Sequence, residues 1–94
     1  MRNIKLTIEY DGSLYHGWQS QVNATAVQDV VASAVRSLTG EQCKLTGSSR
    51  TDTGVHAQGQ VANFFTESKI PADKFSLALN AQLPYDIVIK KSEE

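Results

Sequence analysis

The stretch Ile4-Lys5-Leu6-Thr7-Ile8-Glu9-Tyr10 sets an apolar side chain at every second position. Strict period two is the pattern of a β-strand with one buried face. Asp11-Gly12-Ser13 ends it with turn residues. Residues 14–23 follow no period and carry Tyr15, Trp18 and several amides, so they read as a structured loop with Trp18 as a packing anchor. A new period begins at Thr25. Val27, Val30, Val31, Ala34, Val35 and Leu38 fall in one stripe at helical spacing. Thr25 and Gln28 stand three apart, which predicts a capping box at the helix start. Gly40 suits the left-handed residue at its end.

Downstream, residues 42–47 read as a short strand, 48–59 as a polar connection and 60–66 as the next strand. Pro71 fits the first turn of a second helix, where its missing N–H costs nothing. Phe75, Ala78, Leu79 and Leu83 give that helix its inner face, and Pro84 ends it. Ile87-Val88-Ile89 forms a last strand, and residues 90–94 read as a charged tail. The order β-α-β-β-α-β predicts an α+β, ferredoxin-like domain. This is a four-stranded antiparallel sheet with two helices on one face, spanning 1–94 without repeats or linkers.

Composition narrows the function classes. With 40% hydrophobic and 20% charged residues the chain reads as globular and soluble. No run approaches the roughly 20 apolar residues that span a bilayer. Met1-Arg2-Asn3-Ile4 lacks a signal-peptide pattern, so cytoplasm is the expected compartment and no membrane partner is expected. Cys43 is the only cysteine, which excludes an intrachain disulfide and a cysteine-based zinc site. A single cysteine beside a strand reads as a small buried hydrophobe. No ligand spacing joins His16 and His56, so no metal is expected. The net charge of −1 argues against a stand-alone RNA binder, because phosphate neutralisation supplies much of such affinity. It leaves room for half of a larger RNA-binding surface.

The chemistry concentrates in Gly47-Ser48-Ser49-Arg50-Thr51-Asp52-Thr53-Gly54-Val55-His56-Ala57-Gln58-Gly59-Gln60, which brings Arg, Asp and His together between two strands. Loops held by a rigid sheet are where catalytic groups tend to sit. Taken alone, the pattern has a plainer account. Asp52 would close an Asx-turn ahead of Gly54, Arg50 would be its surface ion-pair partner, and His56 would be a core histidine or a hydrogen-bonding support for the loop. A passive RNA-binding or dimerising module also fits. Asp52-Thr53-Gly54 is in addition the tripeptide of homodimeric aspartic proteases. Those enzymes need a mostly β fold and two aspartates sharing one proton, which the helical stripe and Arg50 oppose.

Three blocks, in order and at matching spacing, resemble the tRNA pseudouridine synthase A family. They are Glu9-Tyr10-Asp11-Gly12-Ser13 followed by Tyr15, Gly17, Trp18 and Gln19; Arg50-Thr51-Asp52-Thr53-Gly54-Val55-His56-Ala57; and Asn80-Ala81-Gln82-Leu83-Pro84 followed by Asp86-Ile87. The resemblance implies isomerisation of uridine to pseudouridine in the anticodon stem-loop of tRNA, without metal or organic cofactor. It makes Asp52 the catalytic carboxylate and Arg50 the residue that helps displace the target base. Thr51, Gly54, His56, Tyr10 and Asp11 become substrate-binding candidates; Asn80 reads structurally, as a residue that caps the second helix or ties it to the catalytic loop. It also implies a second, similar domain after residue 94 carrying an active-site tyrosine, a homodimer, and little turnover by these 94 residues alone. Ser48-Ser49 stands where the family commonly has a small pair such as Ala-Gly, so local hydrogen bonds from the added hydroxyls are expected.

Overall fold

The computed structural model describes residues 1–49 and 54–94. Among them, strand β1 (Arg2–Tyr10) is followed by helix α1 (Val27–Thr39), then β2 (Thr46–Gly47), β3 (Ala57–Thr66), α2 (Phe75–Asn80) and β4 (Ile87–Glu93). The four strands form one sheet in the order β2-β3-β1-β4, with every pairing antiparallel. This is the ferredoxin-like arrangement that the βαββαβ pattern predicts.

Period two in β1 puts Ile4, Leu6, Ile8 and Tyr10 on one face, all buried. Opposite them on β3 stand Phe64, Ala62 and Gln60, also buried. Val27, Val31, Ala34 and Val35 of α1 and Phe75 and Leu79 of α2 join the same cluster, so both helices cover the same face of the sheet. Phe64 and Phe75 meet edge to face with centroids 5.5 Å apart, a favoured aromatic geometry.

The helix starts differently from the capping-box expectation. Ala26 is the N-cap, and no side chain caps the end. The first N–H groups bond instead to main-chain carbonyls of the preceding loop: Val27 to Gly17 at 3.1 Å and Gln28 to Trp18 at 3.0 Å. That frees the Gln28 side chain. Its Oε1 accepts the Ser20 N–H at 2.8 Å, and its Nε2 donates to the Leu45 carbonyl at 2.6 Å. At the other end Gly40 takes φ +74° and returns its N–H to the Arg36 carbonyl, as the sequence predicts.

Three further elements depart from expectation. Residues 42–45 alternate exposed and inward-facing side chains as a strand would, but the Leu45 carbonyl is taken by Gln28, so β2 shrinks to two residues. Pro71 is the N-cap of a 3-10 turn (Ala72–Lys74) that leads into α2, one position before the first turn. The charged tail is in fact strand. β1–β4 pairing shifts register between Thr7 and Ile8, so that Ile89 faces Ile8 while Lys91 faces Thr7. Lys90 is the extra residue of a bulge. The bulge resets the alternation, leaving Lys91 in solvent and turning Ser92 inward, where its Oγ accepts the Ser76 N–H at 2.9 Å.

No helix among the described residues is long and apolar enough to cross a membrane. Every buried side-chain nitrogen and oxygen among them has a hydrogen-bond partner.

Candidate active site

Three connections meet at one end of the sheet: the chain leaving β1, the chain between β2 and β3, and the chain entering β4. Asp11 begins the first. Its Oδ1 accepts both the N–H and the hydroxyl of Ser13, at 3.0 and 2.6 Å, which folds Gly12–Leu14 into a 3-10 turn. Those bonds, the hydroxyl first, hold the Asp11 carboxyl below its usual value. The Asp11 N–H reaches the Asp86 carbonyl at 2.9 Å, joining the first connection to the third.

Gly12 carries the second junction. A Cβ built on it would overlap the Val55 carbonyl, so only glycine lets the two chains cross here. Its N–H donates to His56 Nδ1 at 2.9 Å. The Asp11 Oδ1 lies 3.2 Å from the same Nδ1, and while that nitrogen accepts from Gly12 it gives Asp11 no hydrogen bond. Gly54 adopts φ +78° and donates its N–H to the Tyr15 carbonyl at 3.1 Å.

The upstream side is fastened just as firmly. The Ser48 N–H bonds to the Val61 carbonyl at 2.9 Å. Ser49 Oγ donates to Gln60 Oε1, and Gln60 Nε2 donates to the Ser49 carbonyl, both at 2.9 Å. The serine hydroxyl therefore makes the local bond its sequence position led us to expect. Gly47 lies where a side chain would overlap the Trp18 indole. Trp18 is 2% exposed and stacks on Tyr10, with centroids 6.4 Å apart, so it is a packing anchor.

Asp52, Arg50 and Thr51 lie outside the described residues. What is described is both shoulders of the segment that carries them, each tied to the sheet. Of the other candidates, Gly54, His56 and Asp11 are exposed and touch one another's segments. Tyr10 is 3% exposed and sits in the core beneath them. An open depression of about 350 Å³ is lined by Glu9, Tyr10, Asp11, His56, Ala57 and Gln58. Asn80 directs its side chain to the last strand. Its amide donates to the Ile89 carbonyl at 3.0 Å and accepts the Ile89 N–H at 2.8 Å, tying α2 to β4. Among the described residues no group of three or more His, Cys, Asp or Glu could hold a metal ion.

Sequence reasoning missed two buried polar contacts. Tyr15 donates its hydroxyl to Asp86 Oδ1 at 2.7 Å, linking the first connection to the third a second time. Burial, then this hydrogen bond, push the Tyr15 phenol far above its usual range. The other is Gln60, whose inward parity opposite Ile8 was the available signal: an amide in a core position must find partners.

The family model described as tRNA pseudouridine synthase matches residues 6–94, and the chain belongs to that family. Over all 94 residues it is 65% identical to the tRNA pseudouridine synthase A of Acetivibrio thermocellus and 65% identical to that of Ruminiclostridium cellulolyticum. It is 62% identical to that of Caldicellulosiruptor saccharolyticus. In each case the match covers 100% of this chain and 38% of the relative, so the chain spans well under half the length of these relatives.

Proposed function

We propose that this chain is the Asp52-bearing domain of an enzyme that isomerises uridine to pseudouridine in the anticodon stem-loop of tRNA. The observation that carries the reading is the pair of fixed shoulders at Ser48–Ser49 and Gly54–His56, tied to the sheet on either side of the sequence Arg50-Thr51-Asp52-Thr53. Family membership over residues 6–94 supplies the reaction class.

The chemistry follows from the groups. The reaction breaks the bond from ribose C1′ to the base nitrogen, turns the base, and rejoins it through carbon. A base within RNA structure must first leave its stack, which costs a few kcal/mol. Arg50, planar and always charged, fills the vacated place and binds phosphate. Asp52 is ionised at neutral pH on its ordinary pKa of about 3.9. It has two routes. As a nucleophile it attacks C1′ and the base departs with the bonding electrons; as a base it takes a ribose proton. A positive Arg50 nearby favours the ionised carboxylate that both routes need. Exposed Asp11, Gly54 and His56 offer substrate contacts on the downstream shoulder, with Thr51 within the loop and Tyr10 beneath it.

A second domain beyond residue 94 and a second subunit complete the RNA surface in this reading, with the cytoplasm as the compartment where tRNA is met. A net charge of −1 favours a lesser role for the 94 residues alone, which carry little positive field to hold RNA without the rest of the enzyme. The aspartic-protease alternative finds no support in a sheet covered by two helices.

The test uses the protein extended through its second domain, incubated with tRNA and assayed for pseudouridine. The intact enzyme is expected to form product, and Asp52→Asn, which keeps the shape and loses both capacities, to form none. Near-normal turnover by that variant would remove Asp52 from the mechanism, and no product from the intact enzyme on a full set of tRNAs would remove the reaction.

A further inference from the structure

We propose that the buried Tyr15–Asp86 pair is a positioning device that sets the downstream shoulder of the Asp52 loop. This rests on the synthase reading above and adds to it two residues that touch no substrate.

The geometry starts at Asp86, 9% exposed, and Tyr15, 7% exposed, with the hydroxyl-to-carboxylate bond of 2.7 Å between them. The same two residues present their main chains to the site. The Tyr15 carbonyl takes the Gly54 N–H, and Gly54 follows Asp52 by two positions. The Asp86 carbonyl takes the Asp11 N–H, and the next residue, Gly12, bonds to His56 and lies against Val55. Asp86 thus reaches residues 54–56 by two separate paths, its carboxylate through Tyr15 and its main-chain carbonyl through Asp11.

Gly54 depends on this tether. It carries no side chain, and a Cβ built on it would meet nothing within 4 Å. No side chain anchors it, so its main chain is held by the bond to Tyr15 and by its close approach to Gly12. Tyr15 in turn must be fixed for its carbonyl to keep its aim. A polar pair is a poor way to gain stability in a core, since two apolar side chains of similar volume serve as well or better. What a directional hydrogen bond adds is a defined orientation. Catalysis is sensitive to that, because misplacement by about 1 Å costs on the order of a hundredfold.

The experiment compares Tyr15→Phe, Asp86→Asn and Tyr15→Phe/Asp86→Leu in the extended enzyme, with thermal unfolding run alongside. Tyr15→Phe is expected to lower kcat roughly ten- to a hundredfold with KM for tRNA within about twofold, the signature of lost transition-state geometry without lost binding. The double variant, with no buried charge left unpaired, is expected to fold and show the same loss. Asp86→Asn, whose amide oxygen still accepts the Tyr15 hydroxyl, is expected to retain most of the rate. Wild-type kcat in the folded double variant, or equal losses in Tyr15→Phe and Asp86→Asn, would overturn the positioning role. Wild-type enzyme without product would instead overturn the synthase reading itself.

Discussion

At Asp11 an exposed carboxylate does structural work through its own neighbours. It accepts two bonds from Ser13 and stands beside His56, so its ionised form is favoured in the fold. A carboxyl with a lowered folded pKa contributes stability above its unfolded value, 3.8, and that contribution is lost as pH falls through the folded value. Asp11→Asn is therefore expected to flatten the acid limb of the stability profile as pH falls below about 4, read by urea unfolding at a series of acid pH values. An acid limb as steep as that of the wild type would show that Asp11 ionisation is not linked to folding. Single residues were unevenly legible. Asp11-Gly12-Ser13 announced a turn, yet the reason for Gly12, the crossing of Val55, joins positions 43 apart and has no local signature. Tyr15 and Asp86 were visible only as members of blocks, because a hydrogen bond over 71 residues leaves no spacing rule behind.

Among the elements, α1 shows how a local rule yields to a distant partner. Thr25 and Gln28 have the spacing of a capping box, but the loop main chain caps the helix and Gln28 reaches Ser20 and Leu45 instead. Gln28→Ala is expected to cost about 2 kcal/mol, from two partners left without their bonds, measured as a lower urea midpoint with an unchanged slope. A loss near that of an ordinary exposed helix position, under about 0.5 kcal/mol, would mean that water replaces the amide. The strands teach a related lesson. Alternation identified β1 and the buried half of β3, where period two runs unbroken. It stopped short in β4 because the Lys90 bulge breaks parity, and an unbroken strand would have turned Lys91 inward. Residues 42–47 read as one short strand, of which only Thr46 and Gly47 pair, with the Leu45 carbonyl held by Gln28.

For the molecule as a whole, charge sets the expectation. Nine basic and ten acidic residues leave little net positive field to displace counterions from RNA. The tRNA affinity of these 94 residues is expected to fall less steeply with salt than that of the extended enzyme, as measured by filter binding over a salt series. Equal slopes would place the phosphate contacts on this domain and contradict the proposed division of the surface. The ferredoxin-like plan itself was legible, because six elements in a fixed order admit few compact arrangements. The candidate site was legible as a segment, through Arg50, Asp52 and His56, of which only His56 lies among the described residues, while the support of its shoulders was hidden. The shoulders are made by Ser49 with Gln60, Gly54 with Tyr15 and Gly12 with His56, pairs that only the folded sheet brings together.

The Asn80 amide has one more effect. β4 is the outermost strand on its side of the sheet, and Asn80 occupies both polar groups of Ile89. An incoming strand seeking a template for amyloid-like addition finds that rung already filled, with lysines at the next two positions. On the β4 side the sheet thus offers a foreign chain little continuous border on which to grow.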